Sequence, residues 1–115
     1  LEGVPESGVF LPSIVVGELQ KGVDLLPPGK KRDALKIWLE QLRGRFAGRI
    51  VPVDEETAVV WGMLTARMQH EGRSLPVIDS LLAATALRHH SLLATSNTRD
   101  FDDTGVEIVD PWSQG

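Results

Sequence analysis

The fold is decided by a stretch that reads Pro76-Val77-Ile78-Asp79-Ser80-Leu81-Leu82-Ala83-Ala84-Thr85-Ala86. Pro76 suits the first turn of a helix, and the residues that follow it are apolar on almost every side, which predicts a largely buried helix. Asp79 is the exception. An aspartate in a first turn interacts favourably with the helix dipole, so a purely structural role for it is as good an interpretation as a functional one. Ala83 and Ala86 share its face and are small enough to let another backbone approach.

Outward from this helix, short apolar runs alternate with helical patterns along the whole chain. Alternation of this kind predicts parallel strands, because parallel strands need crossover connections. We therefore expect a single α/β domain over residues 1–115, with three layers (α/β/α) around a central parallel sheet. The expected strands are Val9–Leu11, Ile50–Val53, Leu92–Thr95 and Val106–Val109. Apolar spacing predicts that two helices turn these residues toward the core: Ala34, Leu35, Trp38, Leu39 and Leu42 in one, and Val59, Val60, Met63, Leu64 and Met68 in the other.

Composition narrows the class of protein. The chain has 115 residues, of which 42% are hydrophobic and 24% are charged, as in soluble globular domains. It has no cysteine, which excludes a disulfide scaffold, a thiolate zinc site and a cysteine nucleophile. No apolar run approaches the length of a membrane span. We expect a soluble, cytoplasmic protein.

Charge is distributed unevenly along the chain. Between Pro28 and Ile50, seven basic residues stand against two acidic ones, a net charge of +5 in a chain whose total is −4. A charged helix face is ordinarily only solvated, but a cationic helix beside an acidic remainder is also a candidate for contacting RNA phosphates or an acidic partner segment. The basic residues are Lys30, Lys31, Arg32, Lys36, Arg43, Arg45 and Arg49.

Three acids from distant parts of the sequence are candidates for a site. Glu18 borders the apolar stripe of the first helix, Asp79 begins the buried helix, and Asp100 lies in the loop after the third strand. Each alone has an ordinary structural interpretation, but sites in parallel sheets form beyond the carboxyl ends of the strands, where these acids would meet. Clustered carboxylates need a cation, and oxygen ligands without cysteine suit magnesium or manganese. Hard divalent metals typically serve phosphoryl chemistry, so a nuclease is the natural inference.

Other catalytic classes lack their residues. No nucleophile elbow, phosphate-binding loop or dinucleotide fingerprint occurs. His89 and His90 stand at the end of the buried helix, where cations meet the helix dipole favourably, so we assign them a structural role. The tryptophans, among them Trp38 and Trp61, are expected to anchor a core or an interface.

In combination, four segments resemble PIN-domain ribonucleases, specifically the VapC-type toxins of bacterial toxin–antitoxin pairs. They are Leu11–Leu19, Pro76–Ala86, Ala94–Phe101 and Val109–Trp112, in the family's order. The resemblance implies that Glu18, Asp79 and Asp100 are catalytic and hold magnesium or manganese for RNA hydrolysis. It makes Thr95, Asn97 and Arg99, just before the last acid, the expected substrate contacts. It also implies an antitoxin protein as partner, a homodimer and no membrane.

The chain departs from the family pattern at its start and at Ser96. The family opens with a strand followed by an Asp-Thr-Asn-like motif that would supply a first acid, and this sequence has neither, so we expect an N-terminally truncated toxin that is weak or inactive alone. Ser96 stands where many relatives have arginine. The alternative is therefore a catalytically inactive module that only binds the antitoxin. A metal titration would distinguish this module from a metal-dependent nuclease. A receiver-like phosphoacceptor domain ranks last, because its acids would follow a first strand that is absent.

Overall fold

A computed structural model of the chain describes residues 9–90, 93–94, 104–105 and 108–109. The chain divides into two compact units, an N-terminal unit that ends at Pro52 and a C-terminal unit that begins at Val53. None of the helices among the described residues is long and apolar enough to cross a membrane. The elements are β1 (Leu11–Pro12), α1 (Ser13–Leu25), α2 (Lys30–Arg45), β2 (Ile50–Val51), α3 (Glu55–His70), α4 (Val77–Arg88), β3 (Leu93–Ala94) and β4 (Ile108–Val109).

The N-terminal unit joins a parallel strand pair to two helices. β1 pairs with β2 in the register Leu11 to Ile50, and Leu11 N donates a hydrogen bond of 3.0 Å to Arg49 O. The pairing involves Leu11 and Pro12, so β1 lies slightly later than the apolar run that predicts it. β2 ends before Pro52, which has no N–H to extend a ladder. The turn from α2 into β2 passes through Gly48 at a φ of 82°, a conformation that glycine adopts without steric cost.

α2 faces the core with fewer residues than its pattern predicts. Leu39 is buried and Leu35 and Leu42 are half-buried, as expected. The prediction for Ala34 and Trp38 is wrong, since Ala34 is exposed and Trp38 is 45% exposed. At 3.6 residues per turn each lies about 100° around the helix from the leucine that follows it, which turns it out of the inward face.

The C-terminal unit contains the predicted buried helix. α3 begins at a cap in which Thr57 N donates a hydrogen bond of 2.8 Å to Asp54 Oδ1. It ends where Gly72 adopts a φ of 72°, with Arg73 N donating to Met68 O at 2.8 Å and Gly72 N to Gln69 O at 3.0 Å. This pattern satisfies two carbonyls that a helix end leaves without a partner. β3 pairs with β4 in the register Leu93 to Ile108, again in parallel.

The core of the C-terminal unit lies between α3 and α4. Leu64, Met68 and Ala83 form a buried cluster, and Leu75 and Leu87 pack against it. The prediction that α4 is largely buried is confirmed along its middle turns, where every residue from Ala83 to Ala86 is buried.

On α3 the prediction that Val59 and Met63 face the core is wrong, because their side chains are 56% and 69% exposed. Thr57, Leu64 and Met68 occupy the inward face of the helix, and Val59 and Met63 lie on the far side. Both described strand pairs are parallel and helices connect the strands, which confirms the α/β class.

Candidate active site

Asp79 lies in the first turn of α4 and is half-buried. The helix starts at Pro76, whose carbonyl accepts the first helical hydrogen bond, from Ser80 N, at 2.9 Å. Proline fixes the backbone at this point but provides no side-chain cap. The free N–H groups of the first turn therefore give the Asp79 carboxylate a positive electrostatic environment.

A hydrogen-bond chain from α3 reaches this turn. Trp61 Nε1 donates to Ser80 Oγ at 2.8 Å, and Ser80 Oγ donates to the carbonyl of Val77 at 2.7 Å. Ser80 is only 2% exposed. The sequence predicts Trp61 as an anchor but gives no role to Ser80. The signal for Ser80 is that it is the one serine in a mostly apolar helix. A buried indole N–H needs an acceptor, and a serine hydroxyl can provide it.

Glu18 lies in α1, within the N-terminal unit, and is exposed. Its neighbour on the inward side, Leu19, is half-buried, so the placement of Glu18 beside the apolar stripe is correct while its carboxylate faces solvent. The structure describes the N-terminal and C-terminal units each by itself, and the convergence of Glu18 with Asp79 stays a prediction. Four further predicted residues lie outside the described residues, namely Thr95, Asn97, Arg99 and Asp100.

Glu18 and Asp79 are chemically suited to bind a metal ion. Within the described part of the chain, neither Glu18 nor Asp79 accepts a side-chain hydrogen bond or forms an ion pair, so their oxygens are uncommitted. The residues between 9 and 90 and the three described pairs after them contain no group of three acids or histidines close enough to hold a metal. Carboxylate oxygens without such partners are the donors that a hard divalent cation prefers.

The acids at the start of α3 have a different role. The Glu56 carboxylate forms an ion pair with the Arg88 guanidinium at the end of α4. Hydrogen bonding from Thr57 lowers the pKa of Asp54 below its ordinary value, and the charge of Arg88 adds to this effect. Both carboxylates therefore have structural partners, whereas Asp79 has none among the described residues.

Some of the basic residues between Pro28 and Ile50 are exposed to solvent, and others form contacts within the fold. Lys30, Lys31, Lys36 and Arg43 are exposed. Arg49 instead donates hydrogen bonds from Nη1 to Val9 O at 3.1 Å and from Nη2 to Arg45 O at 2.9 Å, and its guanidinium lies 4.7 Å from the centre of the Phe46 ring. We call Lys30, Lys31, Lys36 and Arg43 the exposed cations of α2. At about 100° per residue they point in different directions around the helix and do not form one face.

The sequence matches the PIN domain family over residues 1–107. The chain belongs to this family, and its parallel α/β fold and its acid at the start of a buried helix agree with the resemblance noted from the sequence.

Named relatives extend the comparison. The chain is 38% identical over 105 residues to Toxin FitB of Neisseria gonorrhoeae, covering 90% of this chain and 76% of that protein. It is 32% identical over 105 residues to VapC ribonuclease Y4jK of Sinorhizobium fredii, covering 90% of this chain and 75% of that protein. Among solved structures, FitAcB from Neisseria gonorrhoeae superposes with a TM-score of 0.90 at 36% identity, covering 96% of this chain and 81% of that one.

Proposed function

We propose that the chain is a metal-dependent endoribonuclease toxin whose Glu18, Asp79 and Asp100 carboxylates hold a magnesium or manganese ion. The observation that carries the proposal is Asp79, an acid without a described partner in the first turn of a helix whose other residues are mostly apolar. Membership of the PIN domain family supports it, as does a relative named as a ribonuclease.

Each residue has a distinct task in this reaction. When bound, the metal ion activates a water and neutralises the charge that develops on the phosphate. Asp79 holds its oxygens steady because it lies on a helix, and Glu18 offers an exposed carboxylate from α1. Thr95, Asn97 and Arg99 bind the RNA next to Asp100 and orient the scissile phosphate.

The exposed cations of α2 support RNA as the substrate. The whole chain is acidic, with a net charge of −4, so it would repel a polyanion without a local concentration of cations. Lys30, Lys31, Lys36 and Arg43 are exposed on one helix, which gives this segment a local positive charge that phosphates can meet.

RNA cleavage tests this function. The purified chain is incubated in molar excess over a mixed panel of single-stranded and structured RNAs, with magnesium or manganese at millimolar concentration, because carboxylates with few partners hold these ions loosely. We expect weak cleavage, because the sequence has no Asp-Thr-Asn-like motif to supply a further acid; chelator should abolish it and an excess of either metal should restore it. RNA that stays intact across the panel after prolonged incubation, or cleavage that persists in chelator, would contradict the proposal.

A cognate antitoxin is part of the proposal, since one relative is named as a toxin and the resemblance implies a neutralising partner. The alternative is an inactive module that only engages this antitoxin. A metal titration discriminates between the two, because the alternative predicts a chain that binds the antitoxin but neither binds metal nor cuts RNA.

We further propose a homodimer that pairs through the outward face of α3, which we define as Ala58, Val59, Gly62, Met63 and Ala66. Val59 and Met63 expose 56% and 69% of their surface there, in a stripe one helix wide. Exposed apolar stripes of this kind are typical of association surfaces, and the small residues allow close approach of a second helix.

The layout of α3 favours a second copy as the occupant of this face. Gly62 and Met63 lie midway between the two ends of the helix. An antiparallel pairing of two α3 helices about this midpoint packs the Met63 side chain of each copy against Gly62 of the other. A two-fold interface of this type is self-complementary.

A further inference from the structure

The hydrogen-bond chain between α3 and α4 enters the helix next to Asp79. Trp61 Nε1 reaches Ser80 Oγ at 2.8 Å, and Ser80 Oγ reaches Val77 O at 2.7 Å. Val77 and Ser80 flank Asp79 in the chain, so the two bonds bracket the residue whose carboxylate would hold the metal. Ser80 is 2% exposed, which shields both bonds from competing water.

The first turn of α4 has no other side-chain support among the described residues. Its N-cap is Pro76, which contributes no side-chain hydrogen bond. By contrast, α3 starts at Asp54, whose carboxylate accepts from Thr57 N. The beginning of α4 is thus held from outside, by a residue of the neighbouring helix.

We propose that Trp61 is a positioning residue for Asp79: through Ser80 it fixes the first turn of α4 and so the direction in which the Asp79 carboxylate meets a divalent cation. This inference rests on the proposed function, because it assumes that Asp79 is a metal ligand. Trp61 does not touch the metal or the RNA in this role. Residues that orient a metal ligand without touching the metal commonly change its affinity by about 10- to 100-fold.

α4 offers a matched control one turn further along. Thr85 is 4% exposed, and its Oγ1 donates to Leu81 O at 2.8 Å. Thr85→Val therefore removes a buried side-chain hydrogen bond from the same helix at nearly constant shape, without loosening the turn that carries Asp79. A purely structural role for Trp61 predicts that Trp61→Phe and Thr85→Val behave alike.

The test is a manganese titration of the wild-type chain and the variants Trp61→Phe, Ser80→Ala, Thr85→Val and Asp79→Asn, followed by the electron paramagnetic resonance signal of free Mn²⁺. Thermal unfolding of each variant is recorded in parallel. We expect Trp61→Phe and Ser80→Ala each to weaken manganese binding by about 3- to 10-fold, somewhat less than removal of a direct contact to a ligand. Thr85→Val should change it less than twofold at a similar loss of thermal stability.

The double variant Trp61→Phe/Ser80→Ala should weaken binding no more than either single change, because both remove the same connection. Equal manganese affinities for Trp61→Phe and Thr85→Val would overturn the inference, and so would additive losses in the double variant. If Trp61→Phe does not fold, the manganese affinities of Ser80→Ala and Thr85→Val are compared instead, and equal affinities would overturn the inference. Unchanged affinity in Asp79→Asn would instead overturn the metal site itself, and with it the proposed function.

Discussion

Arg49 Nη1 donates a hydrogen bond of 3.1 Å to the carbonyl of Val9, at the point where the chain enters β1. The backbone of the same arginine accepts a hydrogen bond from Leu11 N at 3.0 Å. Arg49 therefore fastens the β1–β2 pair twice, once through its backbone and once through its side chain. One of the seven cations between Pro28 and Ile50 is committed to the fold, and the charge of this segment overstates what RNA could meet.

Arg49→Met should destabilise the protein by about 1.5–3 kcal/mol, the usual range for removing a hydrogen bond that involves a charged group. The methionine keeps most of the aliphatic stem, so the change in stability reports mainly the guanidinium contacts. Urea unfolding measures it. Arg43→Met, at an exposed position of α2, is the control and should stay within about 0.5 kcal/mol of wild type. Equal stability of the two variants would show that Arg49 has no special structural role.

The exposed cations of α2 should determine how RNA binding responds to salt. Removing one cation that touches a phosphate should reduce the slope of log K against log salt by about 0.7 for single-stranded RNA. Lys36→Gln should therefore flatten the slope, and the quadruple variant Lys30→Gln/Lys31→Gln/Lys36→Gln/Arg43→Gln should flatten it further. Lys21→Gln, at an exposed cation of α1, is the matched control and should leave the slope unchanged. If the quadruple variant also leaves the slope unchanged, the exposed cations of α2 are only solvated.

Asp54 should contribute to stability in a pH-dependent way. Its pKa is lowered in the folded state by hydrogen bonding from Thr57, so its contribution is present above the pKa of the unfolded chain and is lost as pH falls through the lowered value. Asp54→Ala should lower the Tm by a few degrees at neutral pH, and its gap from wild type should narrow in acid. Thermal scans from neutral pH downward measure this, with Glu40→Ala as control. A gap that widens in acid would contradict the assignment.

Met63→Lys should break the proposed homodimer, because it sets a charge at the midpoint of the outward face of α3 beside its symmetry mate. Sedimentation velocity should then detect only monomer at concentrations where the wild type dimerises. Ile37→Lys is the control, since Ile37 is 57% exposed but lies on α2. A wild-type chain that stays monomeric at high concentration, or a Met63→Lys variant that still dimerises, would remove this interface.

The parts of the fold that follow from local patterns were predictable. The buried middle of α4 follows from apolar residues on almost every side of the helix, and the parallel strand pairs follow from the alternation of apolar runs with helical patterns; both occur in the structure. The inward faces of α2 and α3 were predicted too wide. A run of apolar residues shows that a helix has a core face but not how far around the helix that face extends, and Trp38, Val59 and Met63 lie beyond its limit.

The sequence points to Asp79 as a candidate site residue, but it does not predict the contacts that support the turn around Asp79. Asp79 stands out in the sequence because a charge in an apolar helix needs a reason. The hydrogen bond from Trp61 to Ser80 joins residues on two separate helices, and the local sequence pattern of neither helix predicts it. Contacts of this kind depend on how the helices pack, which single-sequence periodicity does not encode.

The central claim is that the three carboxylates act on RNA through a shared metal ion, and single-turnover RNA cleavage by isosteric variants tests it most directly. Glu18→Gln, Asp79→Asn and Asp100→Asn each remove one ligand charge at nearly constant volume. Asp24→Asn and Glu40→Gln, both at exposed positions outside the site, are the matched controls. The account predicts that each of the three site variants loses at least about 100-fold in cleavage rate at saturating manganese while the controls stay within about twofold of wild type. A site variant that cuts RNA as fast as its control would contradict it.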